Sequence, residues 1–420
     1  MSIRQARISL VAAALFAMFG AFAMWDASRL GGASPWRNMF DFADFYCAGR
    51  AVSLGVDPYR YGPLHNCERE VNRYRDDPAF VVPMVLPTYT FPLLAPLGQM
   101  PIDVARARFA ILNAVATLAC VVVLALLGID LTLAIAALLL STGYLLLYTG
   151  QVVPFALLAV VLCGWALNKK LSVAAGVFAA AALIEPHLAL PLCAGVFLFG
   201  STRTRIALSA GVAVLACIAA LMFPAETLEY VARVLPRHAL ADARDPLQYS
   251  LTYVLTLVGI PTSWALYAGG VSYIALGTAG IWLGQRLSRT LNRPEMVAFV
   301  PVAAVVLAGT YMHQVDICFA IPAALVLATK ADGRARAVAA AALCLLAIPW
   351  ILVSHLQHFF LLSVFIFAVI LWRLHIPVLP AVATLAATSL ALYVLQLHPA
   401  TLAFGRAPLH VLPDDLSVAA

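Results

Sequence analysis

Phe109-Ala-Ile-Leu-Asn-Ala-Val-Ala-Thr-Leu-Ala-Cys-Val-Val-Val-Leu-Ala-Leu-Leu127 contains no charged side chain. Wound as a helix, it is about as long as the hydrocarbon core of a bilayer is thick, roughly 30 Å. Comparable runs occupy 8–25, 105–127, 131–149, 152–167, 171–185, 188–201, 205–223, 263–284, 297–311, 314–328, 336–353, 357–373 and 376–396. The composition agrees: 63% of the 420 residues are hydrophobic, 11% are charged, and mean hydropathy is +0.94. A soluble domain is nearer half apolar and a quarter charged. This chain cannot cover its surface with charge, which excludes disorder, nucleic-acid binding and a cytosolic enzyme. The expected fold is an all-α integral membrane protein of about 12 or 13 transmembrane helices, one polytopic domain over 1–420. Two apolar stretches read differently. Residues 252–261 make half a span, and 83–99 is broken by Pro83, Pro87, Pro92 and Pro96, so a re-entrant or interfacial element is expected there.

Lys and Arg in the short loops set the orientation. Arg4 and Arg7 precede the first span, which places the N-terminus in the cytoplasm. Alternating from there, the inner loops take Lys169, Lys170, Arg203, Arg205, Arg286, Arg289, Arg293, Lys330, Arg334, Arg336 and Arg373. Inner segments then hold 13 basic and 3 acidic residues, against 13 basic and 17 acidic outside. The net charge of +6 therefore follows membrane topology and needs no polyanionic partner. Ala21-Phe22-Ala23 resembles a cleavage site, but a signal anchor suits the first span better.

Most polar residues fall in two outer segments, 26–104 and 224–250. The first opens with an apolar-periodic helix over 41–55, followed by a turn at Val56-Asp57-Pro58-Tyr59. Cys47 and Cys67 are the only cysteines in an aqueous segment, and that segment faces an oxidising exterior, so a disulfide is expected between them. The others lie in spans as small hydrophobes. No CxxC or His-rich spacing suggests zinc, and no internal repeat is visible.

Polar residues at span ends are the sharper signal. Gln151, Glu185-Pro186-His187, Tyr311-Met-His313-Gln314-Val-Asp316 and the pair His355 and His358 interrupt four helix pairs, all at the outer face. Ionisable groups at membrane depth are costly and tend to be functional. Singly, each has a bland reading; Gln151, for example, could cap a turn.

An outer site has no nucleotide supply, so group transfer there must use a lipid-linked donor. Such chemistry needs a carboxylate to take the acceptor's proton and cationic or hydrogen-bonding groups for the departing phosphate. Asp41 and Asp44, one helical face apart by three residues, fit the first role, although Asp41 could equally be a helix N-cap. Arg50, Arg60, Arg237, His187 and His313 fit the second. His238 stands beside Arg237, and Asp316 beside His313, as further substrate contacts.

Asp41-Phe-Ala-Asp-Phe-Tyr-Cys-Ala-Gly-Arg-Ala51 followed by Gly55-Val-Asp-Pro-Tyr59 resembles the opening motif of glycosyltransferase family 87. Ala95-Pro-Leu-Gly-Gln-Met-Pro101 and Gly150-Gln151 extend the likeness. Glu185-Pro186-His187 resembles that family's Lys-Pro-Gln element, and His313-Gln-Val-Asp316 with Ala320-Ile-Pro322 its late Tyr-Asp and Leu-Pro-Ala elements. The likeness runs from residue 8 to about 330. It implies a GT-C-type enzyme of a bacterial inner membrane, using a polyprenyl-phosphate sugar, mannose-like, and a glycan or glycolipid acceptor. It also implies Asp41 as catalytic base, with Asp44 as second candidate, and neither a cofactor nor an obligatory metal. Glu185 departs from the basic residue common at that position, and His187 takes over any phosphate role there. The competing reading is a transporter or flippase of a lipid-linked sugar, which should carry ionisable groups at mid-membrane and broken helices in both halves. A non-catalytic scaffold is the third.

Overall fold

The computed structural model describes residues 39–71, 84–138, 149–243, 248, 250–306, 309 and 311–346. The proposed spans at 8–25, 357–373 and 376–396, and His355 and His358, lie outside them. Among the described residues the chain is all-helical, with one isolated bridge between Gln248 and His313 and no strand.

The helices in chain order are α1 Phe40–Ser53, α2 Tyr61–Glu70, α3 Phe91–Gly98, α4 Ile102–Leu126, α5 Leu131–Leu138, α6 Val153–Asn168, α7 Ser172–Ala181 and α8 Pro186–Phe199. There follow α9 Thr202–Met222, α10 Pro224–Glu229, α11 Leu235–Asp242, α12 Leu251–Leu257, α13 Thr262–Thr290, α14 Met296–Val305, α15 Ile321–Lys330 and α16 Gly333–Leu346. Short 3-10 turns cover Thr88–Thr90, Ala182–Ile184 and Gln314–Ala320, and a π turn covers Tyr230–Val234.

Three of these helices, α4, α9 and α13, are long and apolar enough to cross a membrane; α6, the segment Ser172–Ile184, α8 and α14 are apolar but shorter. Pro186, Pro224 and Pro322 sit in the first turns of α8, α10 and α15, where the missing N–H is no loss. The described part of the proline-rich stretch, 84–99, contains a 3-10 turn and the short helix α3 rather than a straight span.

Two hydrophobic cores result. The larger is built from α4 to α8 and α14 to α16 around Leu133, Val161, Leu192, Phe299 and Leu325. The smaller wraps α1 to α3 around Phe42, Tyr59, Phe91 and Phe109, and takes in Val152, Tyr230 and Val234. Ile184 packs against both. Within the smaller core α1 and α3 cross at backbone contact distance: a Cβ on Gly49 would meet Leu94 O at 2.3 Å, and one on Gly98 would meet Arg50 N at 2.1 Å. A disulfide between Cys47 and Cys67, with Cα atoms 5.6 Å apart, ties α1 to α2. Asp57 builds the turn between them, accepting from Tyr59 N at 2.9 Å and from Arg60 Nε at 2.9 Å.

Side-chain bonds then fasten this unit to the rest. Tyr89 Oη donates to Leu183 O at 2.6 Å, Tyr230 Oη donates to Val85 O at 2.9 Å, and Thr88 and Thr227 share a hydroxyl bond of 2.7 Å. The larger core has its own latch. Fully buried Glu295 pairs with Arg293 at 2.5 Å and accepts from Asn168 Nδ2 at 2.9 Å, while Arg293 donates to Leu127 O at 2.6 Å. These bonds lock three connections, after α4, α6 and α13, at one end of the bundle.

Candidate functional site

Asp41 lies in the first turn of α1, one residue inside the helix. The N-cap is Met39, with no side-chain capping bond. The Asp41 carboxylate Oδ2 accepts from Gln151 Nε2 at 2.7 Å, across 110 residues. Two features place Gln151 there. Gly150 adopts φ +73° and its absent Cβ would sit 2.8 Å from that of Phe42 and 2.9 Å from Met39 Cε, a conformation and an approach that only glycine allows at little cost. Asn113, fully buried on α4, donates Nδ2 to Gln151 O at 3.0 Å. The backbone of residue 151 is thus pinned from behind and its amide is aimed at Asp41. Asp44, one turn along, is buried.

A second polar group collects where α8, α11 and the 3-10 turn at Gln314–Ala320 meet. Glu185 Oε2 lies 3.5 Å from His187 Nδ1, and His187 Nε2 lies 3.6 Å from Asp316 Oδ2. Tyr273 Oη holds the His187 carbonyl at 2.7 Å. Asp316 also closes a capping box on His313, accepting from its N–H at 2.7 Å. Asp242 Oδ2 stands 2.9 Å from His238 Nε2 and 3.5 Å from His313 Nε2. Gln248 Nε2 lies 3.5 Å from Asp242 Oδ2, while Gln248 Oε1 accepts from Met312 N at 2.7 Å. The ring of Tyr311 sits among three imidazoles, its centroid 5.3 Å from His187, 4.6 Å from His238 and 4.8 Å from His313.

At Asp242 the surroundings favour the ionised carboxylate. Burial alone would raise the Asp242 pKa, but the hydrogen bonds and charges of His238 and His313 overcome it and hold the group down to about 2. His238, Asp242 and His313 each offer one ligand atom, all within 4.8 Å of one another, so this is also where a cation could be held.

The sequence candidates therefore separate into sets. Asp41 and Gln151 form one contact; His187, Asp316, His313 and His238 fall into one connected group. Arg50 and Arg237 join neither in the bonds described above: Arg50, at the end of α1, pairs with Glu70 at 2.7 Å in a solvent-facing salt bridge, and Arg237 is exposed. Arg60 pairs with Asp57 at 2.9 Å and approaches Glu229 at 3.7 Å. Also central in the structure are Asp242 and Gln248, to which the sequence gives no role, and Glu185 and Tyr311, which it marks only as parts of polar segments at span ends. His238 and Asp242, four apart, do mark one helical face; Gln248 carries no comparable signal. Compared with known protein families, curated proteins and solved structures, the chain matches none.

Proposed function

We propose that this chain is a multi-pass glycosyltransferase of a bacterial inner membrane, moving a sugar from a polyprenyl-phosphate donor to a hydroxyl outside the cytoplasm. The observation that carries the reading is the Asp41 carboxylate at the head of α1, held at 2.7 Å by a glutamine that a buried asparagine fixes in turn. A general base needs this: a carboxylate whose orientation is set before the acceptor arrives.

The membrane part of the proposal has its own support. Helices α9 and α13 are long and apolar enough to cross a membrane yet hardly buried by the rest of the protein, as faces turned to lipid would be. On α13, exposed Trp264 and Tyr267 lie near one end and exposed Trp282 near the other. The eighteen-residue separation of the two tryptophans corresponds to about 27 Å of helix, close to the hydrocarbon thickness. Aromatic girdles at both interfaces are what a spanning helix carries. Beyond Trp282, Arg286 stacks on its ring at 5.5 Å, on the side taken as cytoplasmic from the basic loops.

In the proposed reaction Asp41 takes the proton of the acceptor hydroxyl as the oxygen attacks the anomeric carbon, inverting it in a single displacement. The leaving group is polyprenyl phosphate. His187 and Arg237 supply the hydrogen bonds and positive charge that its developing negative charge requires, and the group of His238, Asp242 and His313 lies beside His187 around the Tyr311 ring. Ionisable residues collected around two helix junctions, rather than strung through the middle of the long helices, favour an enzyme over a transporter. The test is to incubate purified protein with a panel of polyprenyl-phosphate sugars and acceptors and measure free polyprenyl phosphate. Release with one donor supports the proposal; silence across the panel, with lipid-linked sugar crossing vesicles instead, replaces it with the flippase.

A further inference from the structure

From His238, Asp242 and His313 we infer a binding site for one divalent transition cation of the zinc type. The three ligand atoms lie within 4.8 Å of one another. Asp242 Oδ2 is 2.9 Å from one imidazole Nε2 and 3.5 Å from the other. Ligand bonds of about 2.0–2.2 Å in near-tetrahedral array put neighbouring donor atoms at this order of separation. Two imidazoles and one carboxylate are a borderline-soft set, suited to zinc and its neighbours rather than to magnesium or calcium, which take oxygen. Three protein ligands leave a coordination position open to water or a phosphoryl oxygen.

The ligands are held before any cation arrives. His238 and Asp242 are four apart on α11, so the helix itself brings them to one face. His313 is fixed by its backbone: the bridge to Gln248 constrains one side and the capping box with Asp316 the other. Gln248, anchored by its bond from Met312 N, directs its amide nitrogen at the Asp242 oxygen, the outer-sphere support that ligating carboxylates commonly receive. That nitrogen is 3.2 Å from His313 Nε2 and 3.5 Å from Nδ1. A donor in line with one ring nitrogen would be much farther from the other, so the amide lies over the face of the imidazole and away from the in-plane direction a metal uses. Tyr311 walls the two rings at 4.6 and 4.8 Å.

The inference concerns binding and does not depend on the transferase reading, so its test contains no sugar donor. Purified full-length protein in detergent, stripped with chelator, is titrated separately with Zn²⁺, Co²⁺ and Mg²⁺. One Zn²⁺ per chain is expected, with Mg²⁺ not competing. Asp242→Asn and His313→Ala should each weaken Zn²⁺ binding by at least about tenfold, since even outer-sphere losses cost that much. Co²⁺ on the unaltered chain should develop the visible absorption of a nitrogen–oxygen site, abolished by added Zn²⁺; this arm stands even if the variants fail to fold. A Co²⁺ spectrum identical to the aquated ion, or Zn²⁺ binding unchanged in the His238→Ala/His313→Ala double variant, overturns the site.

Discussion

Gly98→Ala is the perturbation that tests how the unit bearing Asp41 is built. The substitution adds one methyl where the α3 end meets α1, 2.1 Å from Arg50 N and 2.3 Å from Gly49 C, whereas ordinary contact begins at 3.4 Å. Both obstructing atoms are backbone, so no rotamer relieves them, and the helices must separate by about 1.3 Å, the difference between 3.4 and 2.1 Å. Overpacking of this kind costs about 1–3 kcal/mol, and the rigid neighbours place it at the upper end. Alanine's better helix propensity returns at most about 1 kcal/mol, leaving a net loss near 2 kcal/mol. Gly270→Ala is the control, a helical glycine on α13 with nothing within 4 Å of its Cβ; it should be neutral or stabilising by up to about 1 kcal/mol. Thermal unfolding followed by tryptophan fluorescence in detergent should show Gly98→Ala melting several degrees below wild type, with Gly270→Ala at or above it. Equal melting of the two variants would refute the close crossing.

Three further outcomes are expected. Removing the Cys47–Cys67 bridge by double serine substitution should cost about 3 kcal/mol on the chain-entropy account, and non-reducing peptide mapping of wild type should recover the two cysteines linked; two freely alkylated thiols would contradict it. Gln151→Ala removes a charge-assisted hydrogen bond worth about 1.5–3 kcal/mol, so kcat should fall about 10- to 100-fold while KM stays near wild type, and a rise in KM alone would make Gln151 a substrate contact instead. A periplasm-only reporter should be active when fused after Arg244 and inactive after Lys170, and the reverse pattern would put the polar groups on the cytoplasmic side.

Much of the local architecture is legible in the chain. The uncharged run after Phe109 becomes α4, the helix expected from Asp41 becomes α1, Asp57 makes its turn, and the proline-rich 84–99 is a 3-10 turn and α3 rather than one span. What hydropathy does not show is how a helix ends. The stretch 171–185 does form one helical segment, Ser172–Ile184, but a short one whose last turn tightens to 3-10 at Ala182–Ile184 before Glu185-Pro186, a change that apolarity does not register. Nor does a sequence show contacts across long separations. Gln151 meets Asp41 110 residues away, and Gln248 meets His313 65 residues away. Both glutamines look alike on the page; one sits behind a glycine that signals a tight approach, and the other has nothing beside it to distinguish it. Glu295 reads as a stray acid in a basic inner loop, and only its bonds to Arg293 and Asn168 reveal a buried latch.

The most direct test of the account is Asp41→Asn, assayed by release of polyprenyl phosphate from the donor that wild type uses. Asparagine keeps the size of the side chain and an oxygen for Gln151, so expression and melting should match wild type. It cannot take the acceptor's proton, so turnover should fall by about 10²- to 10⁴-fold. Full turnover in a correctly folded Asp41→Asn protein would contradict the assignment of Asp41 as the base, and with it the mechanism built on α1.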